Sequence, residues 1–282
     1  MPMIGIVTDS NAQLPRELID RYGIEVVPLT VTVDGTPYAE GVDLDPDDFY
    51  ARFEMGQPSI STSQPSPGRF TEAYAGMAER GAREVLSIHI GSQVSGTVNS
   101  ARLAAANSPV PVRIVDSGTA SFGVGCCVWA AADAIEQGAG VEDAAAVAAG
   151  LVSVIGNVFI VGALDLVRAG GRLAADVEDA DEVGGAAVPI LSLVDGEVRV
   201  VDTAGDVDEA VRAMARYVTS TGRNLNVAVG TADRAAAALS AALEAAVADD
   251  PHVREVIGYR IGPSVGAHTG PGTAGAFFFP VP

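Results

Sequence analysis

At 282 residues the chain is longer than the usual single domain, and two modest domains are preferred over one large one. With 36 Asp and Glu against 17 Lys and Arg, the net charge of -19 argues against nucleic acid or an anionic membrane surface as a direct partner, and no basic run offsets it. Cys126 and Cys127 are adjacent, a poor disulfide pair and no metal motif; with a start that lacks the regions of a signal peptide, they predict a cytoplasmic protein without a bound metal or cofactor.

Short Val- and Ile-rich runs alternate with helical patterns, which predicts an α/β fold on a mainly parallel sheet. Residues 4–7 read as the first strand and 15–22 as a short helix, and 25–33 as an extended segment that Pro28 bends or confines to an edge. Asp45-Pro46-Asp47-Asp48 is a helix start with acids on its first turn, leading into 49–53. A Ser/Thr/Pro loop over 61–66 precedes a helix that opens at Pro67 or Gly68 and runs to Glu79. A strand follows at 84–90, then a helix from Ser95 through Ala106, a strand at 112–115 delivering Asp116-Ser117, and a helix from about Thr119 to Gln137.

The stretch 144–164 carries no charge and is long enough to span a bilayer, yet Gly150, Ser153, Gly156 and Asn157 interrupt it. Helix, turn at Gly156-Asn157 and strand is the better parse, so no membrane insertion is expected. Beyond it, 188–194 and 197–202 form a β-hairpin about Asp195-Gly196, the only antiparallel element expected. Helix 207–219, strand 226–230, helix 233–248, strand 255–261 and a terminal strand at 276–279 complete the chain. The expected division is an N-terminal α/β domain over 1–153 and a C-terminal one over 154–282.

Three segments bear hydroxyls and glycines where a loop should meet a regular element: Ser61-Thr62-Ser63-Gln64-Pro65-Ser66, Ser92-Gln93-Val94-Ser95-Gly96-Thr97, and Gly266-Ala267-His268-Thr269-Gly270-Pro271-Gly272. Together they suggest an anion cradle of uncharged donors, suited to a phosphate or carboxylate that is held without being hydrolysed. Ser95 at a helix start places amides and the positive dipole end before a ligand, and Gly96 lets a ligand oxygen approach the backbone; the plainer reading is an ordinary N-cap. Thr62 is expected in a loop too rich in Ser, Pro and Gln to be a strand interior, and His268 against irregular backbone. Ser10 and Ser117 begin loops after strands, where α/β sheets place ligands, or else they cap helices. Arg172 either supplies positive charge or follows an αL glycine at a helix end. His89 and His252 carry only structural readings, a core or sheet-face residue and a solvated loop residue.

These segments, with Thr8-Asp9-Ser10, Asp116-Ser117 and Gly170-Gly171-Arg172, resemble in their joint order the DegV family of bacterial fatty-acid-binding proteins over nearly the whole chain. The resemblance implies a two-domain architecture, mainly parallel in the first domain and a mixed sheet with a β-hairpin in the second, in which a segment of the first half can pack with the second domain and the ligand site lies at their interface. It implies that Ser95 and Thr62 bind the carboxylate of a long-chain fatty acid and that the His268 segment closes over it. It further implies a non-catalytic subunit that presents the fatty acid to a dihydroxyacetone-kinase-like fatty acid kinase, which makes an acyl-phosphate for phospholipid synthesis. The chain departs from the family at Asp202-Thr203-Ala204-Gly205-Asp206, where an arginine is common, and at Ala187-Val188-Pro189, which lacks the usual lysine. The first departure bears on kinase partnership. An alternative makes Ser95 and His268 the nucleophile and base of an acyl transferase or ester hydrolase, although neither Gly-x-Ser-x-Gly nor an orienting acid is found. A sugar-phosphate or nucleotide binder would use the same helix start, but no Walker segment or Gly-x-Gly-x-x-Gly is present.

Overall fold

The computed structural model describes residues 3–163, 166, 188–194, 197–220, 222 and 224–281. The chain divides into two compact units, one of Met1–Asp45 with Pro58–Val154 and the other of Pro46–Gln57 with Ile155–Pro282.

The first unit opens with β1 (Ile4–Asp9), a 3-10 turn at Ser10–Ala12, α1 (Arg16–Tyr22), β2 (Glu25–Val27), β3 (Thr30–Val33) and β4 (Thr36–Ala39). The chain then leaves to form α2 (Pro46–Glu54) in the second unit and returns at β5 (Ile60–Ser63), α3 (Pro67–Glu79), β6 (Glu84–His89), α4 (Thr97–Ala105), β7 (Val112–Asp116), α5 (Phe122–Glu136) and α6 (Val141–Leu151). Its main sheet is parallel, in the order β2-β1-β6-β7. The apolar runs of β1 and β6 are almost wholly buried, as a parallel sheet covered by helices requires. Phe70, Tyr74 and Met77 of α3 and Ala101 and Ala104 of α4 pack with Val7, Val27 and Val85. Strand order reverses between β1 and β6, which makes the ends of these two strands the switch point of the sheet.

A second, antiparallel sheet of order β4-β3-β5 belongs to the same unit, so antiparallel pairing is not confined to the hairpin of 188–202. The turn between β3 and β4 is Asp34-Gly35, with φ of 50° and 81°, the left-handed pair that a two-residue hairpin demands. Thr62 lies within β5, opposite Val31, rather than in a loop. Ile60 and Thr62 are β-branched and half-buried while Ser61 and Ser63 are exposed, and this alternation suits an edge strand.

The second unit holds β8 (Gly156–Ile160), β9 (Val188–Val194), β10 (Glu197–Ala204), α7 (Val207–Thr219), β11 (Leu225–Thr231), α8 (Arg234–Ala248), β12 (Val253–Arg260), α9 (Pro263–Thr269) and β13 (Ala274–Pro280). Its mixed sheet runs β10-β9-β8-β13-β11-β12, with only β11 and β12 parallel to each other. Met214 and Val218 of α7 and Leu239, Leu243 and Val247 of α8 cover one face over Val227 and Val229. Gly156-Asn157 opens β8 instead of forming a turn, because both residues serve the sheet. A β-carbon on Gly156 would stand 2.1 Å from the ring of its cross-strand partner Phe278. The Asn157 side chain donates to Leu193 O at 2.8 Å and accepts from Leu193 N at 2.6 Å, clasping β8 to β9 where one residue pair forms the ladder.

The excursion α2 is secured inside the second unit. Tyr50 donates its hydroxyl to Ile261 O at 3.1 Å, and Arg260 donates to Asp47 Oδ1 at 2.7 Å. Among the described residues no helix is long and apolar enough to cross a membrane.

Candidate functional site

The carboxyl edge of the parallel sheet gathers the loops that follow β1, β6 and β7, and their backbone is tied together by two aspartates. Asp9 Oδ2 accepts from Ile90 N at 3.0 Å, and its Oδ1 accepts from Asn11 N at 3.1 Å. Asn11 Oδ1 in turn accepts from Ser121 N at 2.7 Å. Asp116 Oδ1 accepts from the amides of Ser92 and Gly118, each at 3.1 Å. Burial acts to raise the Asp116 carboxyl, but the hydrogen bonds from Ser92 and Gly118 outweigh it and hold the group below the usual carboxylate range. Gly91 donates to Thr119 O at 2.8 Å, and a β-carbon on Gly91 would meet Gly118 C at 2.9 Å, so glycine there permits the two loops to cross.

The Ser95 turn stands on this base. The helix starts two residues later than expected, at Thr97, with Gly96 as its cap at φ -77° and ψ 5°. Ser95 caps it from outside, since its Oγ lies 2.8 Å from Thr97 Oγ1 and accepts from Thr97 N at 3.3 Å. Among the described residues no hydrogen bond engages the amides of Gly96 and Val98, which leaves two donors at the positive end of α4. The atoms packed nearest Gly96 are those of Gln64, whose Nε2 would lie 2.6 Å from a β-carbon there. Glycine at 96 therefore admits the Gln64 side chain, and with it the end of β5 that carries Thr62.

The structure thus brings Gln64, two residues beyond Thr62, against Gly96 beside Ser95 in the first unit. Gln64 was not foreseen as a participant, although it stands inside the Thr62 to Ser66 signature. Ser117 is fully buried in the neighbouring loop; its amide donates to His89 O at 3.0 Å, and its hydroxyl lies 3.4 Å from Thr119 O. The Ser10 hydroxyl donates to Glu40 Oε2 at 2.5 Å and accepts from Leu29 N at 2.9 Å, which ties the turn after β1 to the chain just before β3 and just after β4.

His268 belongs to the second unit and sits in the last turn of α9, not on irregular backbone. Pro263 opens that helix and Gly270, at φ 74°, closes it; Gly266 within it admits the rings of Phe49 and Tyr50. Arg172 lies outside the described residues.

A buried constellation with the bond order of a catalytic triad also lies here. Ser87 Oγ is 2.6 Å from His89 Nε2, and His89 Nδ1 is 3.0 Å from Asp9 Oδ2, but all three residues have no exposure, so no substrate can reach the serine oxygen. Cys126 and Cys127 are likewise core residues of α5, and burial pushes the Cys127 thiol up to about 12 and Cys126 well above its ordinary value. A cavity of about 310 Å³ opens elsewhere, between β2 and α3, lined by residues including Glu25, Val27, Arg69, Glu72 and Arg80. Its charges are paired, Arg80 with Glu25 at 2.7 Å, and it includes no residue of the Ser95 turn. Among the described residues no group of His, Cys, Asp and Glu could hold a metal ion.

A two-unit α/β chain, with a parallel sheet in one unit and a mixed sheet in the other, has well-defined counterparts among solved structures. The chain matches the family profile described as "Uncharacterised protein, DegV family" over residues 3–281, and it belongs to the DegV family. A DegV domain-containing protein of Streptomyces coelicolor is 33% identical over 96% of both chains. A DegV family protein of Thermus thermophilus, whose structure is described as showing fatty acid binding, is 32% identical, with a TM-score of 0.86 over 100% of both chains. A Thermotoga maritima protein described as revealing fatty acid binding function is 26% identical, with a TM-score of 0.85 over 100% of both chains.

Proposed function

We propose that this protein binds a long-chain fatty acid, holding the carboxylate with the Thr62 and Ser95 hydroxyls and the free amides at the start of α4, and the alkyl tail in an apolar tunnel. The reading rests on the full-length likeness to the Thermus thermophilus protein described as fatty-acid-binding. The local chemistry agrees with it: neutral donors and a helix start orient an anion without presenting a matched base. Burial at about 0.8 kcal/mol per methylene gives a tail of common length on the order of 10 kcal/mol before ordering costs, so the head group mainly sets orientation.

In this proposal the protein does no chemistry of its own and presents the carboxylate to a dihydroxyacetone-kinase-like fatty acid kinase. The Asp202 to Asp206 segment, without the arginine common in the family, sets that partnership apart from ligand binding as a separate question. Ser95 Oγ is engaged by Thr97, which is not the base that a nucleophilic serine needs.

Solvent extraction of the purified protein followed by mass spectrometry is expected to yield a stoichiometric fatty acid. The double variant Thr62→Val with Ser95→Ala is expected to bind fatty acid about a hundredfold or more weakly, the worth of two hydrogen bonds to a charged group at about 1.5 kcal/mol or more each. Unchanged affinity would remove the head-group assignment, and ester hydrolysis abolished by Ser95→Ala and by His268→Ala would replace carriage with catalysis.

A further inference from the structure

Four side chains without exposure form a relay under the Ser95 turn. Tyr74 Oη lies 2.9 Å from Ser87 Oγ, Ser87 Oγ 2.6 Å from His89 Nε2, and His89 Nδ1 3.0 Å from Asp9 Oδ2. One arrangement of hydrogens satisfies every atom: Tyr74 donates to Ser87, Ser87 donates to Nε2, and Nδ1–H donates to the carboxylate. A buried polar chain of this kind gives little net stability over an apolar core of the same volume. What it adds is direction, because a hydrogen bond fixes an angle whereas apolar contacts allow sliding.

We propose that His89 is the positioning residue of the carboxylate cradle, setting the Thr62 segment and the Ser95 turn against a single reference. His89 is the last residue of β6, and the chain enters the Ser95 turn directly after it. The next amide, Ile90 N, donates to the same Asp9 oxygen that receives Nδ1–H, so the start of the turn is set on two adjacent bonds. On its other side the imidazole meets α3. The Phe70 ring packs edge-on against it at 4.9 Å and 77°, and Tyr74 reaches it through Ser87. The first turn of α3 follows directly on the Thr62 to Ser66 segment, whose Gln64 rests on Gly96. Two lengths of chain that meet at the cradle are therefore both referred to one buried ring. Losing the relay should leave the tail's environment intact and blur the spacing of the head-group donors.

This inference rests on the carboxylate reading above, and the test separates the two. Dodecanoic acid and dodecan-1-ol, which share a tail and differ in head group, are titrated into the wild type, Tyr74→Phe, His89→Leu and His89→Asn. Tyr74→Phe removes one hydroxyl at the far end of the relay and keeps the ring against Phe70, so it is the variant that decides if His89→Leu fails to fold. Its acid affinity is expected to fall about three- to tenfold while its alcohol affinity moves less than about twofold. His89→Leu should lose more of the acid preference, and His89→Asn, which keeps a donor toward Asp9, should recover part of it. An acid-to-alcohol ratio in Tyr74→Phe equal to that of the wild type overturns the positioning role, whatever the melting temperature does, because a merely structural contribution would weaken both ligands together. A wild type that binds acid and alcohol equally well would instead sink the cradle itself.

Discussion

Asn226 is wholly buried on β11, and neither atom of its amide has a hydrogen-bond partner among the described residues. Its cross-strand neighbours are Phe279 and Glu255. An unsatisfied buried amide costs about 1–3 kcal/mol, so Asn226→Leu, which keeps the length of the side chain, should raise the urea midpoint by a corresponding amount. A lowered midpoint would show that the amide is engaged. Single residues also mark the limit of what could be read from the chain. His89 was legible as a core residue, and it is one, but its partner Asp9 lies 80 positions away and no local pattern announces the bond. The role of Gln64 is hidden for the same reason: its contact with Gly96 arises only when an edge strand meets a helix start from elsewhere in the chain.

Elements with a long period or a clear cap were legible. The helices α2, α3, α7 and α8 and the strands β6 and β7 fall where apolar spacing and capping residues put them, and Asp206 and Asp233 do cap α7 and α8 through the amides of Glu209 and Ala236. Short elements defined by their neighbours were not. The β3-β4 hairpin was signalled by Asp34-Gly35 but masked by Pro37 inside β4, tolerable there because β4 is an edge. The helix α9 was hidden by glycines at 262, 266 and 270, which suggest irregular backbone until α2 is placed beside Gly266. A β-carbon at 266 would sit 2.5 Å from Tyr50 Oη and 2.8 Å from Phe49 Cε1. Gly266→Ala should therefore destabilise the second unit by about 1–3 kcal/mol through overpacking, even though alanine is the better helix former. Chemical denaturation checks this, and a gain in stability would mean that the α2 rings can withdraw.

At the scale of the molecule, the charge of -19 sets how the protein responds to its solvent. Self-repulsion opposes the compact state, so raising ionic strength from about 0.01 to about 0.15 M at pH 7 should raise the melting temperature as the screening length shrinks from roughly 30 to roughly 8 Å. Acidification first relieves that repulsion as ordinary carboxyls protonate, and destabilises once the carboxyls that the fold holds low take up protons. Asp47, held low by Arg260, and Asp116, held low against its burial by Ser92 and Gly118, have folded values below their ordinary ones. Their contribution is present above the ordinary carboxylate range and is lost as pH falls through the folded values, so stability should drop below about pH 4. A melting temperature insensitive to salt, or rising below pH 4, would contradict this account.

The placement of α2 has a consequence for how the protein is made. Phe49 and Tyr50 leave the ribosome well before their partner, because the backbone oxygen that receives the Tyr50 hydroxyl belongs to Ile261, 211 positions later. At roughly 5–20 residues per second, this aromatic pair waits on the order of ten to forty seconds before its docking site exists. Through that interval the nascent chain carries a sticky, unfinished strap, and the second unit can close only after Ile261 has been made.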